Sequence, residues 1–203
     1  SPINYELKNI NLVFGNNPFL KDYFSNTKIG FKFFKPGFDQ NILRLVNKKE
    51  KIKVSFIGQV SRTNHDERLE YLDYLALSYP PFQVFGMNYD TNLFIRRIKD
   101  IIIALRLKGP NVSNLEDIFS SPYYSKIKNI RKRFVNEVWG IDMYNIIFSS
   151  LITFNKHVDN PHGVAGNMRM FEATGVGSCL ITDQKNNNDE YFVPEKEIIV
   201  YKD

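Results

Sequence analysis

The sequence is poor in the residues that carry several common chemistries. Its 203 residues include one cysteine, one tryptophan and three histidines. The single thiol, Cys179, excludes an internal disulfide framework and a cysteine-based zinc site, and a reducing cytoplasm is the expected compartment. Lying in an apolar run, Cys179 is expected to be inert core. His65, His157 and His162 stand at unrelated positions, with neither HExxH nor paired-aspartate spacing, so no metal is expected. No apolar run reaches the roughly 18–20 residues that span a bilayer. The opening Ser1-Pro2-Ile3-Asn4-Tyr5 lacks the basic head and apolar core of a secretion signal. A strict GxGxxG fingerprint is missing, which argues against a nicotinamide dehydrogenase. Recognition motifs for nucleic acid are missing too. Low complexity is confined to Asn186-Asn187-Asn188.

What is present is ordinary for a globular chain: 43% hydrophobic and 24% charged residues, with a net charge of +5. The basic balance favours anionic partners without choosing among them. The length suits one large domain, or one domain with part of another.

Strand and helix patterns alternate along the chain. Ile10–Phe14 and Ile29–Phe34 read as strands around a short helix, Pro18–Phe24, and Lys35-Pro36-Gly37-Phe38-Asp39 reads as a turn. Residues 40–50 grow polar, like a linker. Lys51–Ile57, stopped by Gly58, reads as a strand, Asp66–Tyr79 as an amphipathic helix ended by Pro80-Pro81, and Phe82–Phe85 as the next strand. Residues 91–108 read as a basic helix with Leu93, Phe94, Ile98, Ile101, Ile102 and Leu105 on one side. That side is expected in the core, contact with an acidic membrane surface being the other reading. A looser stretch runs to about residue 135. Beyond it come a helix around Asp142–Ser149 and strands at Leu151–Asn155, Ser178–Thr182 and Glu197–Tyr201. Alternation with glycines at strand exits predicts an α/β fold, a Rossmann-like doubly wound parallel sheet, whose ligands bind beyond the carboxyl ends of the strands.

Between two of those strands lies the run Asn167-Met168-Arg169-Met170-Phe171-Glu172-Ala173-Thr174-Gly175, a short helix after a polar loop. A helix N-terminus exposes unpaired N–H groups and suits a phosphate. Arg169 can add a charged fork to a diphosphate. Glu172, one turn on and on the same face, is placed to accept hydrogen bonds from ribose hydroxyls. A nucleotide would lie with phosphate at the helix tip and sugar deeper.

Val138-Trp139-Gly140-Ile141-Asp142-Met143-Tyr144, Ser149 to His157, Asn167 to Thr182 and Phe192-x-Pro194-x-x-Glu197-Ile198-x-x-Tyr201 resemble the spore-maturation-protein-like branch of group 1 glycosyltransferases. Ile52–Ala76 resembles it more loosely. The resemblance implies a GT-B architecture, two Rossmann-like domains facing across a cleft. Residues 1–39 would be the end of the N-terminal (acceptor) domain with the crossover. Residues 40–50 would be a linker, and residues 51–203 a nucleotide-sugar donor-binding domain short of its closing helices. On that reading the chain is a fragment that does not turn over alone. Glu172 resembles the family's ribose-binding glutamate, and Asn167, Met168 and Arg169 its phosphate-facing turn. Gly58 falls in the glycine loop after the first donor-domain strand, with Arg62 nearby as a phosphate contact. Trp139 and Gly140 fall where backbone groups meet the base. Trp139 itself is expected to pack in the core or an interface. Asn155 and His157 sit on a strand exit facing the cleft, His157 as a hydrogen-bond donor to sugar or phosphate.

The implied partners are a nucleotide-diphosphate sugar and a glycan, lipid-linked or protein acceptor, with no cofactor and no metal. Many retaining relatives carry a second glutamate eight residues before the ribose-binding one, where this chain has Val164. Inverting and retaining mechanisms therefore both stay open, and no catalytic base is assigned. The competing reading is a non-catalytic nucleotide-binding or interaction module of the same fold.

Overall fold

Short β-branched and aromatic runs, each closed by glycine or a polar turn, assemble into two parallel sheets. The structure, a computed structural model, describes residues 9–47, 51–60, 66–86, 93–108, 121–158 and 163–202. In the smaller sheet β1 (Leu12–Gly15) pairs with β2 (Gly30–Phe33), Leu12 opposite Gly30, through the crossover helix α1 (Leu20–Ser25). Phe24 of α1 is buried and stacks on Phe31, with ring centroids 5.9 Å apart. A 3-10 turn, Gln40–Arg44, follows in the segment expected to be a linker. Asp39 caps it by accepting the Asn41 N–H at 2.9 Å.

The larger sheet holds β3 (Ile52–Ile57), β4 (Phe82–Phe85), β5 (Ser150–Asn155), β6 (Cys179–Asp183) and β7 (Ile199–Tyr201) in the order β4-β3-β5-β6-β7, all parallel. Outside β4, residues 133–136 add a short further ladder. Val84 N–H donates to the Arg133 carbonyl at 2.9 Å and Val135 N–H to the Val84 carbonyl at 3.0 Å. The chain thus winds outward one way from β3 and the other way from β5. That is the doubly wound α/β pattern expected, with its switch point between β3 and β5.

Side chains alternate across each strand, and both faces are apolar. On one face α2 (Asp66–Ser78) and α4 (Tyr123–Arg131) cover β3 and β4, burying Phe56, Leu72, Val84, Ile127 and Ile130. On the other, α5 (Gly140–Ser149) and α6 (Met168–Gly175) bury Ile52, Ile147, Met170 and Leu180. Each fully buried side chain of this size contributes about 1.5–3 kcal/mol. Over β5, β6 and β7 the first face opens as an apolar groove of about 630 Å³, lined by Val54, Tyr71, Ile152, Phe154, Ile181 and Tyr201.

Three expectations are corrected. The stretch expected to be loose up to residue 135 contains α4. Its Tyr123, Tyr124, Ile127 and Ile130 are buried against α2, and Asn129 Nδ2 donates to Asp73 Oδ1 at 2.9 Å. In the basic helix α3 (Leu93–Lys108), Leu93 and Ile101 pack on the core while Phe94, Ile98, Ile102 and Leu105 are exposed. The same helix meets α4 through polar contacts: Arg97 lies 4.4 Å from the Tyr124 ring centroid, and Asp100 accepts the Tyr124 hydroxyl at 2.7 Å. Cys179 is exposed, because strand alternation gives Leu180 to the core and turns Cys179 to the opposite face.

Candidate functional site

The carboxyl ends of β3 and β5 meet at the switch point, with Gly58 just past one strand and Asn155 and His157 at the exit of the other. Gly58, just past β3, donates its N–H to the Phe85 carbonyl at 2.9 Å. Gly86, just past β4, has φ +151°, and a Cβ on it would run into the Gly58 carbonyl. The two loops therefore touch backbone to backbone, which only glycine permits. Arg68 of α2 is buried and spans the loops after β3 and β5. Its Nη1 donates to the Gln59 carbonyl at 3.0 Å, and Nε and Nη2 donate to the Lys156 carbonyl at 3.0 and 2.7 Å. A guanidinium bonded in this way holds both halves of the sheet together.

At the β5 exit a chain of amides reaches the tip of α6. Asn155 Nδ2 donates to Thr182 Oγ1 at 2.8 Å, and Asn167 Nδ2 donates to Asn155 Oδ1 at 2.9 Å. Asn167 also caps α6, its Oδ1 accepting the Met170 N–H at 3.3 Å. Two residues past Asn155, His157 Nδ1 lies 2.7 Å from Asp183 Oδ1, which also accepts the His157 backbone N–H at 3.0 Å. Asp183 is wholly buried and faces two ammonium groups, Lys185 at 2.9 Å and Lys156 at 3.4 Å. Lys156, also wholly buried, lies 2.7 Å from Glu67. Burial opposes the Asp183 charge, but the bonds from His157 and Lys185 hold its carboxyl well below the usual carboxylate range.

One turn into α6, Arg169 Nη1 lies 2.8 Å from Glu172 Oε2, and Tyr144 of α5 donates to Glu172 Oε1 at 3.5 Å. Burial pushes the Arg169 guanidinium below its ordinary value, with Glu172 pulling the other way. Burial, then the Glu172 charge, pushes the Tyr144 phenol up. The two groups expected to reach toward separate parts of a nucleotide thus face each other.

A cavity of about 290 Å³ opens beside these residues, lined by Asn16, Arg68, His157, Val164, Gly166 and Asn167. Asn16, from the loop after β1, donates from Nδ2 to the Gly166 carbonyl at 2.5 Å, so the smaller sheet supplies one wall. Trp139 and Gly140 lie apart from this cavity. Trp139, expected to pack, sits at the N-cap of α5 and is 62% exposed, and Gly140 begins the helix with φ +52°. Met168 is exposed on the first turn of α6. Arg62, His65 and His162 lie outside the described residues.

The model of a family described as glycosyl transferase-like matches residues 87–203, more than half of the chain. The chain belongs to that glycosyl transferase-like family.

Within solved structures, the glycosyl transferase-like chain is similar to the crystal structure of the GtfA/B complex at 12% identity and a TM-score of 0.46, covering 98% of this chain and 36% of that one. WaaG, a glycosyltransferase involved in lipopolysaccharide biosynthesis, gives 12% identity and a TM-score of 0.46, covering 94% of this chain and 48% of that one. The C-terminal domain of a group 1 family glycosyl transferase, LpcC, from Francisella tularensis gives 10% identity and a TM-score of 0.38, covering 83% and 76%. The chain thus spans about a third to a half of the length of the first and second of these. A comparison with curated proteins gives no match. Among the described residues no group of three or more His, Cys, Asp and Glu is arranged to hold a metal ion, and no helix is long and apolar enough to cross a membrane.

Asp183, Lys156 and Tyr144 were not singled out from the sequence of this glycosyl transferase-like chain. The one local signal for Asp183 is an acid placed directly after the apolar run Leu180-Ile181-Thr182. Its pairing with His157 crosses two strands and has no sequence signature.

Proposed function

We propose that the chain is the donor-binding part of a GT-B glycosyltransferase. It takes a nucleotide-diphosphate sugar and passes the sugar to a glycan, lipid-linked or protein acceptor. In this reading residues 1–39 are the end of the acceptor domain with the crossover, residues 40–50 a linker, and residues 51–203 the donor domain. The carrying observation is α6. In a glycosyl transferase-like chain, its Asn167-capped N-terminus is tied to Asn155 at the carboxyl end of β5, the strand that borders the switch point, and Glu172 lies one turn deeper. Such a tip offers N–H groups and partial positive charge to a diphosphate, and Arg169 adds a fork once it parts from Glu172. Glu172, with Tyr144 beside it, holds the ribose hydroxyls. Gly58 and Arg62 border the phosphates, Trp139 and Gly140 the base, and Asn155 and His157 the sugar.

Transfer forms a bond from the acceptor oxygen to the anomeric carbon, breaks the bond from that carbon to the diphosphate oxygen, and releases the acceptor's hydroxyl proton to solvent. The helix dipole and Arg169 offset the charge that gathers on the departing diphosphate. No bound metal or cofactor is part of this reading.

Isothermal calorimetry with UDP, GDP and their sugars tests it. One nucleotide is expected to bind, and Glu172→Ala to weaken it at least tenfold. No heat with any nucleotide would overturn the assignment.

A further inference from the structure

His157 is 3% exposed, and among the described residues only Nδ1 of its two ring nitrogens is engaged. Nε2 is buried with no hydrogen-bond partner among those residues, and the side chain lines the cavity between the Asn16 loop and the tip of α6. A buried polar atom left open in this way is completed by a ligand or by water. The state of Nδ1 decides which ligand atom fits. Asp183 Oδ1 accepts the His157 backbone N–H and stands 2.7 Å from Nδ1, while Lys185 and Lys156 face the other carboxylate oxygen at 2.9 and 3.4 Å. An ionised carboxylate has only acceptors, so the proton between the two groups belongs to Nδ1. In the neutral ring Nε2 is then an acceptor.

Resting on the donor-site reading above, we propose that His157 accepts a hydroxyl hydrogen of the transferred sugar at Nε2. Asp183 is the positioning residue that holds the ring in the Nδ1–H tautomer. A diphosphate oxygen carries no hydrogen at neutral pH and would meet the Nε2 lone pair acceptor to acceptor. The diphosphate therefore belongs at the N–H groups of α6 and a hydroxyl belongs at His157. The site prefers sugars with a free hydroxyl at that point over deoxy analogues. This reverses the donor role that the sequence suggested for His157.

Two measurements test it. Nitrogen-15 NMR of the imidazoles in the free chain, with His157 assigned by its loss in His157→Phe, is expected to show the Nδ1–H tautomer. In Asp183→Asn it is expected to move toward Nε2–H. Calorimetry then compares UDP and GDP with UDP- and GDP-sugars. His157→Phe is expected to shrink the preference for sugar over diphosphate about three- to tenfold, the range of one hydrogen bond. Diphosphate affinity should hold, and His157→Gln, which keeps an acceptor near the Nε2 position, should restore the preference. Thermal melts confirm that the variants fold.

An Nε2–H tautomer in the free chain, or a ring protonated at both nitrogens at neutral pH, would overturn the proposal. So would a His157→Phe loss equal for diphosphate and sugar, or no preference for sugar in the parent chain. If the parent chain binds no nucleotide at all, the donor-site reading falls and carries this proposal with it.

Discussion

At the scale of single residues the decisive fact is that charge is buried with its partners. Asp183, Lys156 and His157 are each at most 3% exposed, so none can turn to water if another is removed. Breaking a buried pair strands a charge and costs about 3–5 kcal/mol. Asp183→Asn is therefore expected to lose stability on that order in urea unfolding at pH 7. The pH dependence follows from the lowered Asp183 carboxyl. A depressed carboxylate contributes stability above its unfolded value, about 3.9, and loses it as pH falls below that. The gap between parent and Asp183→Asn should narrow below about pH 4. A gap that failed to narrow there would contradict the assignment. Arg169 gives a second case, since its side chain is mostly buried against Glu172. Glu172→Ala should lower stability by about 1–3 kcal/mol as well as weaken nucleotide. Glu172→Gln, which keeps the shape, separates the two effects: stability should largely recover and binding should not.

At the scale of elements the loops around the site depend on local backbone chemistry. Asn167→Ala removes the α6 cap and the tie to Asn155, and is expected to cost about 1–2 kcal/mol in chemical denaturation. Gly86→Ala would force a Cβ against the Gly58 carbonyl at a φ that L-residues avoid. A loss of about 1–3 kcal/mol is expected, with reduced nucleotide affinity if the displaced loop borders the phosphates.

The elements best read from sequence were those with hard local punctuation. Phe82–Phe85 stands between Pro80-Pro81 and Gly86, and α6 follows an N-capping asparagine. Helix α4 was missed because its apolar positions, Tyr123, Tyr124, Ile127 and Ile130, are half tyrosine. They are also spaced among lysines and serines after Ser-Ser-Pro. Helix α3 is legible as a helix, but its buried face is not, since Leu93 and Ile101 share that face with the polar contacts of Arg97 and Asp100 to Tyr124. Within the site, Arg169 and Glu172 were visible through their spacing along one helix. The partners of His157 were not, because Asp183 lies 26 residues away and only strand pairing brings it near.

At the scale of the whole molecule, the smaller sheet is joined to the larger one from its carboxyl end, where the parallel strands β1 and β2 finish side by side. Near the turn at residues 35–39, the Phe38 ring fills the space left by the missing Cβ of Gly175 and packs against Tyr144 at 6.1 Å. Lys35 adds a bond from Nζ to the Glu190 carbonyl at 3.0 Å. Phe38→Ala is expected to speed amide hydrogen exchange in β1 and β2 while β3 and β5 keep their protection. Equal acceleration in both sheets would show that they unfold as one unit.

From that same end, just after β1, Asn16 bonds the Gly166 carbonyl beside the cavity. The wall of the cavity and the seam between the two sheets are therefore one structure, and its cavity-side member is a single amide. Such a bond is worth about 1 kcal/mol, roughly a fivefold effect on an equilibrium. A ligand group that competes for the Gly166 carbonyl carries as much energy as the bond that holds the wall.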